Sequence, residues 1–159
     1  MNNEKAYAEN LATYFQVNFV KINDLAKTPT KGSEYAAGWD LYAATDHDME
    51  IPPHETLVIG TGLKIAMPTP VFGAIFARSG LATKQGLRPA NCVGVIDADY
   101  RGEIMVALHN DSEYNQVVLA GSRIAQIIFT PYWSICWNEV DELGETNRGE
   151  GGFGSTGIK

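Results

Sequence analysis

The sequence predicts an all-β domain, built either as a sandwich or as a jelly-roll-like barrel. Of its 159 residues, 45% are apolar, which is enough to bury one hydrophobic core. Sixteen glycines and seven prolines interrupt the chain often, and they favour many short strands over long helices. Segments of alternating apolar and polar residues recur between these interruptions, as in antiparallel sheets that bury one face.

The first sixteen residues differ from the rest of the chain. Tyr7, Leu11, Tyr14 and Phe15 lie about four positions apart, which is the spacing of one face of an amphipathic helix. We therefore expect residues 1–16 to form a helical extension that packs on the domain and carries no chemistry.

From residue 17 onward the pattern is that of β-strands, and we expect one domain to span residues 17–143. Residues 103–109 alternate cleanly, with Ile104, Val106 and Leu108 on one face. Further strands are predicted at 17–22, at 56–59 and 62–67 as a pair around a turn, and at 117–119 and 123–129 across a turn at 120–121.

Two segments depart from this pattern. A short helix is predicted at 81–85, directly after Gly80. Residues 144–159 are rich in Gly, Ser, Thr and Glu, and this composition does not pack as a core element. We expect them to form a flexible C-terminal arm.

The distribution of charge excludes some classes of partner. The formal net charge of −7 disfavours binding to DNA or RNA, which requires a basic surface. Arginine nevertheless suits phosphate and carboxylate groups, and every arginine lies in the middle or late chain. This distribution indicates one small anionic ligand, although structural ion pairs would use the same side chains. The arginines are Arg78, Arg88, Arg101, Arg123 and Arg148.

Cysteine usage and hydropathy predict a cytoplasmic protein. Only Cys92 and Cys136 occur, without a CxxC spacing, so a disulfide framework is not expected. The N-terminus has none of the features of a signal peptide. The apolar stretch 127–137 is short and contains Pro131, so no membrane-spanning segment is expected.

Two short segments carry polar residues that ordinary strands do not require. In residues 37–44, Asp40 ends a turn that contains glycine, and an Asx-turn or a cap is the ordinary explanation. The segment Arg78-Ser79-Gly80 ends a strand and opens a helix. It exposes backbone N–H groups, a hydroxyl and a guanidinium together, which suits phosphate oxygens. A capped short helix is the alternative.

Residues 91–102 are predicted to form a hairpin with an acidic tip. Two apolar half-strands flank the tip, where Asp97, Asp99 and Tyr100 crowd together. Neighbouring glycines allow a ligand to approach the backbone closely. Acidic turn tips are usually only solvated, so both interpretations stay open at this point.

Residues 121–127 place a glutamine on an otherwise apolar strand. Strict alternation puts Arg123, Ala125 and Ile127 on one face and Gln126 on the other, together with Ile124. The Gln126 amide then needs a polar partner, which a bound anion or water could supply.

Residues 148–157 place an arginine, one aromatic residue and two adjacent hydroxyls among glycines. A backbone of this kind can cradle phosphates and become ordered when a ligand binds. Composition alone fits a disordered tail equally well.

Together, in this order and at these spacings, the five segments resemble the five motifs of the trimeric dUTPase family, over about residues 17–157. The resemblance implies a jelly-roll-like, distorted β-barrel subunit in a homotrimer, with active sites at the subunit boundaries. It also implies Mg²⁺-dependent hydrolysis of dUTP, the small-molecule partner, to dUMP and pyrophosphate. This activity keeps uracil out of DNA and supplies dUMP for thymidylate synthesis.

The resemblance also implies a role for each motif residue. Asp97 is the expected general base, with Asp99 as second choice, and Asp40 is expected to reach the magnesium ion through water. Tyr100 is expected to pack beneath the deoxyribose, and Arg123 to be structural. The implied substrate-binding residues are Arg78, Ser79, Gly80, Asn91, Gly94, Val95, Ile96, Asp97, Tyr100, Met105, Gln126, Arg148, Gly152, Phe153, Gly154, Ser155 and Thr156.

The match to the family pattern has small departures, and two alternatives stay open. Ala77 stands where the family commonly has proline, and Cys92 follows Asn91 where other residues are usual. A dCTP deaminase shares the fold but generally lacks the glycine-rich arm. A non-catalytic nucleotide-binding module would have no need for Asp97. The aromatic stretch 132–137 is predicted to lie at a subunit contact.

Overall fold

The computed structural model describes residues 15–91 and 93–152 of the chain. The predicted N-terminal helix lies outside them except for residues 15 and 16, which are not helical. Residue 92 and the arm beyond 152 also lie outside the described residues.

The described residues are mostly β, with one short helix, which confirms the predicted class. The elements are β1 (Asn18–Lys21), β2 (Thr30–Lys31), β3 (Trp39–Tyr42), β4 (Met49–Ile51), β5 (Thr56–Gly60), β6 (Leu63–Ala66), β7 (Val71–Phe76), α1 (Ser79–Gln85), β8 (Leu87–Pro89), β9 (Gly94–Ile96), β10 (Met105–Asn110), β11 (Gln116–Val118) and β12 (Arg123–Pro131).

The largest layer is an antiparallel sheet with the strand order β2-β3-β12-β7-β9. Strand β12 is central, and its Gln126 lies opposite Asp40 of β3 on one side and Phe76 of β7 on the other. Because β7 ends at Phe76, the residues that follow it meet the polar side chains of β3 and β12 at one corner of the sheet.

Three smaller antiparallel sheets complete the body, with the orders β5-β10-β8, β1-β6 and β11-β4. Strand β10 buries Val106 and Leu108, and Ile104 just before it is buried on the same side, as the alternation predicts. Burial of each such aliphatic side chain contributes about 1.5–3 kcal/mol. Other fully buried core side chains are Leu41, Ile51, Ile59, Leu63, Leu87, Ile124 and Ile127.

The predicted partnerships between strands adjacent in sequence are wrong. Strand β5 pairs with β10 and β6 with β1, so the 56–59 and 62–67 strands are not partners. Strand β11 pairs with β4 rather than with β12. A turn signal marks where the chain reverses. The partner is chosen by which face must be buried, and that depends on distant residues.

The predicted hairpin at residues 91–102 is also wrong. Strand β9 joins β7 in the large sheet, whereas β10 joins β5 and β8. Residues 97–104 therefore connect two different sheets, and their shape is set by contacts with the body rather than by a two-stranded ladder.

Two local details differ from the predictions. Helix α1 begins at Ser79, two residues earlier than predicted, and ends at Gly86, whose φ of 68° is left-handed and favours glycine. A register shift between Arg123 and Ala125 breaks the expected alternation of β12. Such a bulge turns both Ile124 and Ala125 into the core.

The part of the chain that the structure describes has no helix long and apolar enough to cross a membrane.

Candidate active site

A polar pocket of about 200 Å³ lies at the corner where β3, β7 and β12 meet; we call it the anion pocket. Strand pairing brings Asp40 next to Gln126, and the chain turns into α1 directly after β7. The pocket is lined by Gly32, Ala36, Gly38, Asp40, Arg78, Ser79, Gly80, Arg123 and Gln126.

Asp40 organises the two arginines of the anion pocket. Its Oδ1 accepts a hydrogen bond from Arg78 Nε at 2.9 Å, and its Oδ2 accepts one from Arg123 Nη1 at 3.1 Å. The Asp40 side chain is only 11% exposed, so these charge-assisted bonds offset the cost of burying its charge. The terminal N–H groups of Arg78 make no hydrogen bond within the described residues, which leaves them available to an anion.

Gln126 has a protein partner rather than the anion or water that its position on the strand suggested. Its Nε2 donates to the carbonyl of Ala77 at 2.9 Å, and this bond ties β12 to the residue before Arg78. A Cβ on Gly38 would lie 2.4 Å from Gln126 Oε1. Glycine at position 38 therefore lets the amide lie across the floor of the pocket.

The start of α1 faces the anion pocket and has no side-chain cap, whereas the C-terminal end of the helix is capped by Gly86. Ser79 and Gly80 are exposed, and a Cβ on Gly80 would meet nothing within 4 Å. Neither packing nor backbone strain within the described residues requires glycine at this position. The open backbone leaves room for a ligand to approach the first N–H groups of the helix.

A second pocket, of about 240 Å³, lies beside the 97–104 connection; we call it the loop pocket. Residues of β9, of the connection and of the start of β10 bound it together. Its lining residues are Val95, Ile96, Asp97, Tyr100, Glu103 and Met105.

The carboxylates of Asp97 and Asp40 differ in their hydrogen bonding. Asp97 is exposed, and within the described residues no group donates a hydrogen bond to its carboxylate. Both oxygens of Asp40 are already paired. Asp99 does not line the loop pocket but a neighbouring cavity. Of the three carboxylates, Asp97 is the one placed to act on a molecule in the loop pocket.

Tyr100 is held at the edge of the loop pocket by its own connection. Its hydroxyl donates to the carbonyl of Glu103 at 3.0 Å, and a Cβ on Gly102 would lie 2.3 Å from the same hydroxyl oxygen. Arg101 Nη1 donates to the carbonyls of Ala98 and Tyr100. Arg101 therefore stabilises the turn.

Asn91 lies against β9 near the loop pocket, although it does not line it. A Cβ on Gly94 would lie 3.2 Å from Asn91 Nδ2 and from Ile75 Cβ, so the absence of a side chain at Gly94 lets the amide pack over the strand.

Residues 144–152, the part of the predicted arm that the structure describes, line neither pocket. Arg148 Nε donates to the carbonyl of Gly151 at 2.8 Å, and Gly152 is exposed. The remaining residues of the predicted arm site, Phe153, Gly154, Ser155 and Thr156, lie outside the described residues.

The two pockets share no lining residue and lie toward opposite ends of β7. Ile96, next to Asp97, pairs with Gly73, whereas Arg78 is five residues further along the chain. At about 3.3 Å per residue, this separation is about 16 Å of strand. The predicted site residues of one chain thus form two clusters rather than one.

Four lining residues were missed by inference from the sequence, namely Gly32, Ala36 and Gly38 of the anion pocket and Glu103 of the loop pocket. Gly38 was quoted only as part of a turn, and its contact with Gln126 depends on a pairing between distant strands. Glu103 stands directly after Tyr100-Arg101-Gly102, and its position next to that crowded segment was the only signal that could have drawn attention to it.

The chain is a mostly β domain with one arginine-bearing pocket and a second pocket lined by a tyrosine and a carboxylate. The dUTPase family model matches residues 24–157. The chain belongs to the dUTPase family.

Individual relatives agree with this assignment. The chain is 47% identical to a deoxyuridine 5'-triphosphate nucleotidohydrolase of Desulfitobacterium hafniense over 144 residues, which are 90% of this chain and 95% of that protein. It is 45% identical to one of Rickettsia felis over 147 residues, which are 92% and 99% of the two chains. A mutant dUTPase of Staphylococcus bacteriophage 80alpha, solved with dUpNHpp, has a TM-score of 0.82 and 26% identity, covering 90% of this chain and 99% of that one.

Proposed function

We propose that this chain, an enzyme of the dUTP diphosphatase class, hydrolyses dUTP at the α-phosphate to dUMP and pyrophosphate in a site shared between copies. The observation that carries the proposal is that Asp97, whose carboxylate has no hydrogen-bond partner within the described residues, lines one pocket together with Tyr100, Val95 and Ile96. This pocket offers a general base and a flat side chain to a bound nucleoside.

The reaction assigns a task to each pocket. Asp97 takes a proton from a water molecule, whose oxygen attacks the α-phosphorus, and the bond from that phosphorus to the oxygen bridging to the β-phosphate breaks. Pyrophosphate leaves with the electron pair of that bond. General-base catalysis of this kind contributes about 10²–10⁴-fold to the rate. Arg78 and the open start of α1 bind the negatively charged pyrophosphate as it leaves.

The separation of the pockets supports an assembly in which two copies complete one site. The loop pocket and the anion pocket of one chain share no lining residue, which favours a site in which one copy holds the nucleoside and another holds the phosphates. Cyclic association of identical chains brings the loop pocket of one copy to the anion pocket of the next. We propose the homotrimer that the motifs imply, with subunits of jelly-roll type.

The exposed C-terminal segment supports an assembled state as well. Every residue from 131 to 150 is exposed in the single chain, with Trp133 and Trp137 at 91% and 92%. Exposed apolar side chains this close in sequence, as at Trp133, Ile135 and Trp137, are typical of a contact between proteins. We propose that this segment lies against a neighbouring copy and that the arm after it, from Arg148 to Thr156, closes over the nucleotide.

The residues present fit a magnesium ion held mainly by the substrate. The described residues contain no group of three potential ligands, and both oxygens of Asp40 accept arginine bonds. Mg²⁺ keeps much of its water shell and often binds through substrate phosphates. Asp40 would meet it only through a water molecule. When bound, the ion neutralises phosphate charge and polarises the α-phosphorus.

Substrate selection follows from the loop pocket. The Tyr100 ring would pack beneath the deoxyribose, and a 2′-hydroxyl pressed against it would lose water without gaining a partner, at a cost of about 1–3 kcal/mol. Peptide groups of residues 94–96, together with Asn91, would pair with the edge of uracil. Cytosine would leave polar groups unpaired there, which excludes it strongly. The expected order is therefore dUTP far ahead of UTP, dCTP and dTTP.

We place the enzyme in the cytoplasm, where its product supplies thymidylate synthesis and its action keeps uracil out of DNA. The one cysteine in the described part of the chain, Cys136, is exposed and not in a disulfide, which suits a reducing compartment.

The test is an incubation of the purified chain with Mg²⁺ and each of dUTP, UTP, dCTP and dTTP, with products separated by ion-pair chromatography. The proposal expects monophosphate and pyrophosphate from dUTP, little from the other three, and a loss of turnover after addition of EDTA. Release of ammonia from dCTP would identify a deaminase instead, and tight binding of dUTP without turnover would identify a sensor.

A further inference from the structure

The 97–104 connection that carries Asp97 and Tyr100 is anchored differently at its two ends. Asp97 follows β9, whose Ile96 pairs with Gly73 in the large sheet. Tyr100 lies in no strand: its backbone N–H donates to the carbonyl of Asp97 at 3.1 Å, and the far end of its ring is held by the hydroxyl, which donates to the backbone carbonyl of Glu103. The position of the Tyr100 ring therefore depends on what holds Glu103.

Glu103 is held by the turn between β5 and β6. Its Oε1 accepts a hydrogen bond from the backbone N–H of Gly62 at 2.7 Å. Ile104, which follows Glu103, is bonded to the same turn. The hydroxyl and the N–H of Thr61 both donate to its carbonyl, at 2.7 and 3.1 Å. The N–H of Ile104 in turn donates to the carbonyl of Leu63 at 2.8 Å.

The turn is shaped to receive this carboxylate. A Cβ on Gly60 would lie 2.4 Å from Glu103 Oε1, so a side chain at position 60 would collide with it. Gly62 has a φ of +67°, a left-handed conformation that favours glycine and directs its N–H to the carboxylate. Thr61 is buried, with 1% of its surface exposed. A bond from a backbone N–H to a charged acceptor is stronger than one to a neutral acceptor.

From this geometry we propose that Glu103 is a specificity-determining positioning residue of the dUTPase site. Its carboxylate fixes the connection to the 60–62 turn and so fixes the Tyr100 ring against the sugar. Glu103 lines the loop pocket but acts through Tyr100. This inference rests on the proposed function, because it concerns the sugar preference of that reaction.

The proposal predicts that the preference for dUTP over UTP changes while kcat for dUTP does not, whereas a general loss of structure would lower both. Without the Glu103 carboxylate, the Tyr100 end of the connection moves while Asp97 stays with β9. Discrimination between dUTP and UTP is lost, and the KM for dUTP rises. The kcat for dUTP changes little, since the base keeps its place.

The experiment compares kcat and KM for dUTP and UTP in the wild type, Glu103→Ala, Glu103→Gln and the surface control Glu113→Ala. We expect Glu103→Ala to lower the ratio of kcat/KM for dUTP over UTP by about tenfold. Glu103→Gln keeps an oxygen that accepts from Gly62, so it restores most of the preference. Exchange of the Gly62 amide hydrogen, followed by NMR, is expected to speed up in Glu103→Ala and not in Glu103→Gln.

A second variant covers the case in which Glu103→Ala does not fold. Gly60→Ala displaces the carboxylate without removing it and is expected to give the same loss of sugar preference. The inference is overturned if folded Glu103→Ala or Gly60→Ala discriminates like the wild type, or if Glu103→Gln behaves like Glu103→Ala. A wild type that fails to hydrolyse dUTP would instead overturn the proposed function.

Discussion

The two pockets of this chain are built by different physical means. In the anion pocket, charged side chains from β3, β12 and the start of α1 hold one another, with Asp40 between Arg78 and Arg123. In the loop pocket, hydrogen bonds that involve the backbone set the shape, through Tyr100, Glu103 and the 60–62 turn. In the proposed site, the first arrangement would supply charge to any triphosphate, whereas the second would supply a fixed outline for one nucleoside. Substitutions in the anion pocket should therefore affect turnover of all nucleotides, and substitutions in the loop pocket should affect the preference between them.

The largest effect is expected at Asp97. Replacing it with asparagine removes the proton acceptor and keeps the size of the side chain, so kcat for dUTP should fall by about 10²–10⁴. Binding of a non-hydrolysable dUTP analogue, measured by calorimetry, should be nearly unchanged. Asp99→Asn is the matched control and should keep its activity, because Asp99 lies outside the loop pocket. Equal losses in both variants would contradict the assignment of the base.

Arg78→Ala should reduce turnover of all nucleotides together. It removes a donor to the phosphates, and loss of one such donor commonly costs about 10²–10³ in kcat. It also leaves Asp40 with Arg123 alone, so the free energy of unfolding should fall by about 1–3 kcal/mol. Steady-state kinetics with dUTP and UTP, together with urea denaturation, measure both effects. A change in the ratio of dUTP to UTP turnover would show that the two pockets do not divide the work in this way.

Gly102→Ala should instead change the preference between nucleotides and have less effect on turnover itself. A Cβ at this position would lie 2.3 Å from the Tyr100 hydroxyl oxygen and push the ring out of place. We expect the preference for dUTP over UTP to weaken by about tenfold, with a smaller change in kcat for dUTP. The kinetic comparison used for Arg78→Ala detects the difference. Unchanged selectivity would mean that the Tyr100 ring does not face the sugar.

The smallest effect is expected at Arg88, whose ion pair with Asp111 lies outside both pockets. The hydrogen bond from Arg88 lowers the pKa of Asp111 below its usual value. A lowered pKa stabilises the fold at pH values above the ordinary pKa of 3.8, and this contribution is lost as the pH falls through the lowered pKa. Arg88→Ala should therefore reduce thermal stability slightly at pH 7 and by less at pH 3, with dUTP turnover within about twofold of wild type. A calorimetric scan at both pH values checks this.

The comparison also shows which parts of the fold a sequence can predict. The alternation of Ile104, Val106 and Leu108 identified a buried face correctly, because burial on a strand repeats every second residue. The partners of β5, β6 and β11 were not predictable in the same way, since register and pairing depend on residues far along the chain.

The candidate site follows the same division. Arg78, Asp40 and Gln126 were identified because charged and amide side chains are conspicuous on apolar strands. Glu103 and Gly38 were missed because their importance lies in contacts that exist only after folding. The N–H of Gly62 donates to Glu103 Oε1 at 2.7 Å, and a Cβ on Gly38 would lie 2.4 Å from Gln126 Oε1. Nothing in the neighbouring sequence marks a glycine that makes room for a side chain from a distant strand.

The central claim is that the loop pocket of one copy works with the anion pocket of another. It is tested by co-expressing Asp97→Asn and Arg78→Ala chains with different affinity tags and purifying the mixed oligomers through both tags. A mixed trimer then contains one site with both pockets intact, so dUTP turnover should return to about one third of the wild-type rate per trimer. Mixed oligomers that stay as inactive as the separate variants, or a wild-type chain that is active as a monomer, would contradict the account.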